Sequence, residues 1–353
     1  MILKKTLLLS TFFVILTLVN SCSYKSKCND LITEDGYFFM EKDSTPFTGT
    51  CEAFVYGIRK IENFKDGRLS GQRESYAPTG ELLSSISYRN GKRNGWNILY
   101  YINGKKEKEG KYLDDKKNGV FMSWYKTGVK KSEGKFIKGK RFGTHKEWYP
   151  NSKKKREINY LDGVKHGEWM VWFDSGNIKL KGEYKKGKKV GKWKTWYNSG
   201  GLKEEQIYVY GLREGQWTKR YENGLISEKG GFIDDNKEGI WEKSFETGQI
   251  QSKYTFHKND YSGSFQLWFE NGNLSEKGCF LNNKKEGIHT TYYKTGKKKI
   301  ISKYKKGMLN GILIDFDLKG LSSSTIYKNG KEVIEVKEEI EMKEVIQKED
   351  PVF

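Results

Sequence analysis

His166–Lys189 reads HGEWMVWFDSGNIKLKGEYKKGKK, and the next 24 residues, Val190–Arg213, restate it as VGKWKTWYNSGGLKEEQIYVYGLR. Most of the chain is this unit repeated. A glycine returns every 24 residues without insertion or deletion, at Gly71, Gly95, Gly119, Gly143, Gly167, Gly191, Gly215, Gly239, Gly263, Gly287 and Gly311. A looser copy begins at Gly49. Such a period decides the architecture first, because each short unit packs mainly on its neighbours. The 353 residues therefore imply an array, not two or three separate globular domains.

With that glycine as position 0, positions +1 to +6 of the reference copy are Glu168–Phe173, rich in β-formers and free of helix caps. They predict a strand. Positions +7 to +9 form a turn of two polar residues and glycine, with Ser152 the one exception at +9. Positions +10 to +17 predict a second strand ending in an aromatic residue, such as Tyr160, Tyr184, Tyr208 or Phe232. Position +20 holds only Gly, Asn or Asp, as in Gly187, Asp235 and Asn259. These residues tolerate positive φ, so a left-handed turn is expected before the next unit. The fold class is all-β, an elongated single-layer antiparallel meander of 24-residue β-hairpins. About 24 strands spaced by about 4.8 Å would run roughly 110 Å.

Tryptophan tests this reading. Four lie at +2 (Trp169, Trp193, Trp217, Trp241) and five at +5 (Trp124, Trp148, Trp172, Trp196, Trp268). The two positions differ in parity and face opposite sides of a sheet. Each face thus carries an aromatic column, and Trp124, Trp148, Trp169, Trp172, Trp193 and Trp196 are candidate binding residues. Glycine often occupies +15, at Gly110, Gly134, Gly182, Gly230 and Gly278, where a neighbouring ring can lie over a residue with no side chain.

The formal charge is +20, and the acidic stretch 332–353 contributes −5, leaving +25 on the rest. Such a surface attracts anions. Lysines gather in the turn joining one copy to the next, as at Lys185, Lys186, Lys188 and Lys189. They predict a basic edge with clusters about 10 Å apart, and a mostly neutral opposite edge. The bland alternative is solubility and edge protection without a partner.

GEWMVWFDSG, GKWKTWYNSG and GIWEKSFETG resemble the MORN repeat (membrane occupation and recognition nexus) in its bacterial variant form. The resemblance spans about twelve repeats over 47–331. It implies an elongated single-layer sheet used for binding membranes or proteins. Phospholipid binding is the family's historical association, and the bacterial variant often carries a YwqK-type antitoxin label.

Residues 1–21, MILKKTLLLSTFFVILTLVNS, have a basic start and a short apolar run, the form of a signal peptide. Val19-Asn20-Ser21-Cys22 resembles a bacterial lipobox, which implies lipidation of Cys22 and a membrane anchor at the cell envelope. Ser23 in place of aspartate favours the outer membrane over the inner, by resemblance to enterobacterial sorting. Residues 22–46 form a leader without clear pattern. With Cys22 acylated, Cys28 and Cys51 are the natural disulfide pair, the alternative being two free thiols. The tail 332–353 is expected to be a short helix or disordered.

No serine elbow, P-loop, HExxH or zinc-like cysteine spacing occurs. The expectation is a non-enzyme with no catalytic residue, metal or cofactor, and no nucleic-acid partner. The leading reading is an envelope-anchored binding or scaffold lipoprotein for an anionic partner, lipid headgroups or protein. The alternatives are a cell-wall glycan-binding protein and an antitoxin or immunity protein.

Overall fold

A computed structural model describes residues 25–42 and 45–333. The signal segment, Cys22 and residues 334–353 of the tail lie outside the described residues. The chain divides into two compact units, Met1–Lys116 and Lys117–Phe353. Among the described residues no helix is long and apolar enough to cross a membrane.

The second unit is an open antiparallel meander of hairpins, one after another in chain order. In the reference copy the strands are Val164–Trp172 and Ile178–Lys185. The first strand therefore begins three residues before the repeat glycine, where a turn was expected. The glycine sits inside the strand and makes a bulge. Ile158 pairs with Trp169 and Tyr160 with Lys165, so Asn159 faces His166, Gly167 and Glu168 together. Gly167 has φ +88°, and every repeat glycine from Gly71 to Gly311 likewise has positive φ. That requirement is why the period is marked by glycine.

The two edges of this meander are built by different turns. On one edge Lys185 pairs with Lys188 across a two-residue turn. Both central residues are left-handed, Lys186 at φ 50° and Gly187 at φ 81°. This is a type I′ geometry, whose twist matches that of the strands. The expected left-handed position at +20 is present, and +19 shares it even where the residue is Lys or Tyr, as in Tyr210 at φ 49°. On the other edge the Gly176 amide donates to the Phe173 carbonyl and the Phe173 amide to the Asn177 carbonyl, with Gly176 at φ 96°. Ser152 adopts φ 66° at the one copy without glycine there.

Successive copies are tied at both edges. The Gly187 amide donates to the Lys165 carbonyl (2.8 Å) and the Gly211 amide to the Lys189 carbonyl (2.9 Å), so the I′ turns stack 24 residues apart. Towards the other edge the hydroxyl at +6 donates to the carbonyl at +5 of the next copy. Tyr149 reaches Trp172 (2.9 Å), Tyr197 reaches Arg220 (2.6 Å) and Tyr293 reaches Phe316 (2.8 Å). This nearest-neighbour bonding is what a linear array needs in place of one central core.

In the first unit the described part of the leader forms short regular elements. Lys25–Lys27 lies parallel to Gly49–Val55, and Leu31–Glu34 forms a hairpin with Tyr37–Met40. Cys28 and Cys51 are joined by a disulfide. Phe47, Cys51 and Phe64 form a buried cluster, packed by Leu31, Phe38 and Met40 of the leader. The leader does not follow the repeat because its apolar residues pack on the cluster of Phe47, Cys51 and Phe64.

Candidate functional site

The two faces of the second unit differ in kind. Positions +2 and +17 share one face and pack ring against ring. Trp169 stacks on Tyr184 (5.0 Å, 27°), and Tyr184 meets Trp193 edge-on (5.0 Å, 89°). Trp193 in turn meets Tyr208 at 6.0 Å. Further along, Phe232, Trp241 and Phe256 form a buried cluster. From Phe136 to Tyr304 this column carries a ring on every strand, because +17 supplies one between the residues at +2. It gives a single sheet a core without a second layer.

The column also has a longer rhythm. Gly134, Gly182, Gly230 and Gly278 lie under the rings of His145, Trp193, Trp241 and His289, and a Cβ on any of them would fall 2.1–2.5 Å from a ring atom. The intervening copies place Ile158, Gln206, Tyr254 and Ser302 at the same position. The packing unit is therefore a pair of repeats. His145 and His289 stand where Trp193 and Trp241 stand. The His145 Nε2–H donates to the Lys135 carbonyl (2.9 Å) and the His289 Nε2–H to the Cys279 carbonyl (2.9 Å). Trp241 Nε1–H makes the same bond to Gly231 (3.2 Å). These histidines are structural, and burial pushes the His145 imidazole below its ordinary pKa.

A third component of the column was misassigned from sequence. The residue two before the repeat glycine turns its cation back over the rings. Lys165 lies 4.2 Å from the Trp169 centroid and 4.9 Å from Tyr184. Lys189 lies 4.4 Å from Trp193 and 4.6 Å from Tyr208, and Lys237 lies 3.9 Å from Trp241. Arg213 stands 3.9 Å over Phe232. Burial holds the Lys165, Lys189 and Lys237 ammoniums below their usual pKa. The signal was present in the sequence, since Arg93, Lys117, Arg141, Lys165, Lys189, Arg213, Lys237 and Lys285 all hold this slot. Spacing alone could not show which way the side chain points.

The expected basic edge is therefore interrupted. Lys189 belongs to the core, whereas Lys185, Lys186 and Lys188 are exposed at their turn. The neighbouring turns carry Leu161 and Val164 on one side and Val209, Tyr210 and Leu212 on the other, all exposed. The next carries Asp234 and Asp235.

Of the candidate tryptophans, Trp193 is only 6 % exposed and has no ring face left for a ligand, and Trp169 is enclosed by Lys165, Tyr184 and Trp193. Trp124, Trp148, Trp172 and Trp196 are half-buried on the opposite face. That face carries ion pairs, such as Lys181 with Glu168 (3.0 Å) and Lys194 with Glu205 (2.8 Å). Lys130 lies 5.5 Å from the Trp148 ring and Lys154 5.3 Å from Trp172. Cys28 and Cys51 sit near Glu62 with metal-like spacing, but their sulfurs are bonded to each other.

The geometry defines a β-hairpin repeat protein with a self-contained aromatic core on one face. Six segments, 143–162, 165–186, 189–210, 237–258, 261–282 and 285–306, match the family model of the MORN repeat variant, so the chain carries MORN variant repeats. All six lie in the second unit. The unmatched interval holds the hairpin Leu212–Arg220 and Ile226–Ile233, built in the same way. No curated protein matches the chain in sequence. One solved structure, "Crystal Structure of TcdB2-TccC3-Cdc42", aligns over 76% of this chain and 19% of that chain at 8% identity and a TM-score of 0.13, a likeness too slight to carry an argument.

Proposed function

We propose that the chain is a non-enzymatic, lipid-anchored binding or scaffold protein of the bacterial cell envelope, held by acylated Cys22 in the outer membrane. Its MORN variant repeats present a rigid surface to an anionic partner, lipid headgroups or protein. The observation that carries this reading is the exposed trio Lys185, Lys186 and Lys188. They stand at a turn tip, and no salt bridge to a described residue neutralises them. Uncompensated cations on a protein of net charge +20 supply long-range attraction to anions. Two of the four histidines, His145 and His289, are committed to the column by hydrogen bonds to strand carbonyls.

The anchor is tested by metabolic labelling with a fatty acid. Label in the native chain that disappears in Cys22→Ser supports it, and unchanged label sinks it. Binding is tested on anionic vesicles and on an acidic protein across a salt series. Affinity should fall steeply with salt and with reversal of the three lysines. Salt-independent binding would remove the electrostatic basis of the reading.

A cell-wall glycan remains a second reading on one observation, the half-buried rings of Trp172 and Trp196 outside the aromatic core. Their replacement by alanine would abolish cell-wall retention if that reading holds.

A further inference from the structure

We infer that the edge formed by the three consecutive turns at 161–164, 185–188 and 209–212 is a docking site for an acidic protein segment whose carboxylates are flanked on both sides by apolar side chains. This rests on the binding reading above and names the partner.

The three turns are neighbours, joined by the Gly187 and Gly211 amide bonds to the preceding copies. Their side chains form a continuous surface. A Cβ on Gly187 would lie 3.1 Å from the Val164 methyl, and one on Gly211 would lie 3.6 Å from Lys188 Cβ. The first turn exposes Leu161 and Val164, each 47%, as a cross-strand pair. The third exposes Tyr210 at 70% between the paired Val209 and Leu212. Between them the turn carries three lysines, at 185, 186 and 188, and Gly187. Lone exposed apolar residues are ordinary, but two apolar pairs and a tyrosine bracketing a lysine triplet are not. A turn lies on alternate strands, so the apolar anchors stand roughly 20 Å apart, about six residues of extended chain.

The charge pattern favours a protein over a bilayer. Asp162 is exposed at the tip of the first turn, and Asp234 at the turn after the third. Glu214 lies two residues beyond Leu212. A uniform anionic surface broad enough to reach both apolar pairs would press headgroups against these carboxylates. A partner with acid only at its centre avoids them, and such patterned complementarity gives specificity.

The test is selection of a displayed random-peptide library on the full-length chain. Selected peptides should be enriched in Asp and Glu with apolar residues on both sides. Lys185→Glu, Lys186→Glu and Lys188→Glu together should abolish the acidic preference. Val164→Ser with Tyr210→Ser should keep it and lose the apolar one, and should weaken the selected peptides by about tenfold. Unchanged thermal unfolding of both variants shows that they are folded. An acidic preference absent from the native chain, or retained after lysine reversal, overturns the inference. Vesicles of phosphatidylglycerol and phosphatidylcholine form the second arm. Vesicle binding with the same dependence on Val164 and Tyr210 would assign the edge to a bilayer and also overturn it. If lysine reversal abolishes vesicle and peptide binding while the apolar substitutions change neither, this inference fails and the broader reading stands. If neither probe binds in a lysine-dependent way, both fail.

Discussion

Gly182 lies directly beneath the indole of Trp193, so that a Cβ on the glycine would stand 2.3 Å from the ring's Cδ2. The space is already filled by the ring of the next copy. Gly191, two residues before that tryptophan, is constrained differently. It has open space around it but a φ of +64°. One glycine is required by packing and the other by backbone.

This separates two kinds of substitution. Gly182→Asn should destabilise the second unit by about 1–3 kcal/mol through overpacking. Gly191→Asn should be nearly neutral, because asparagine tolerates the left-handed region, while Gly191→Val should cost about 1–2 kcal/mol. Urea unfolding of the four proteins checks this. An equal response of both sites to asparagine would refute the distinction.

The ring-covering lysines and the exposed ones should separate stability from binding. Lys189→Ala uncovers the Trp193 and Tyr208 rings and should cost about 1 kcal/mol, whereas Lys189→Met keeps the covering stem and should cost less. Lys188→Ala should leave melting unchanged and weaken binding to anionic probes. Calorimetry paired with a binding titration reads both.

His145 should make the second unit acid-sensitive. Burial holds its folded-state pKa below the ordinary value of about 6.5, Lys117 and Arg141 lower it further, and the Lys135 carbonyl and Glu147 oppose them. The unfolded chain therefore takes up the proton first. Stability from the neutral ring is present above pH 6.5 and is lost as pH falls through the ordinary value towards the folded one. His145→Trp places the indole of Trp241 in the same kind of glycine slot. The melting temperature should fall less between pH 7 and pH 5 in this variant than in the native chain. Identical slopes would show that the imidazole does not titrate on unfolding.

The Cys28–Cys51 bond closes a segment with a sequence separation of 23 around the cluster of Phe47 and Phe64. Its reduction, or Cys28→Ser with Cys51→Ser, should cost the first unit about 2–4 kcal/mol. Hydrogen exchange should accelerate in Gly49–Val55 and Ile58–Lys65. Protection unchanged there would mean that the leader is held by packing alone.

Much was legible because a repeat states its constraints many times. The 24-residue glycine, the Gly/Asn/Asp restriction at +20 and the parity of the two tryptophan positions are set by backbone sterics and strand alternation. These act locally and leave the same mark in every copy. They gave the hairpin, the turn chemistry and the MORN resemblance. Local rules did not reveal that the repeat glycine is a bulge inside a strand, since a glycine needed for positive φ looks the same in a turn.

What the tertiary structure alone decided is where side chains go once strands lie side by side. Lys185 and Lys189 are four residues apart in one cluster, yet one stands in solvent and the other covers two rings. Trp172 and Trp169 lie on one strand, yet only the latter is locked into the column. Position in a repeat fixes the face and edge on which a residue stands. Whether it is free to meet a partner depends on the ring or turn that the next copy brings against it, and that contact forms only between strands.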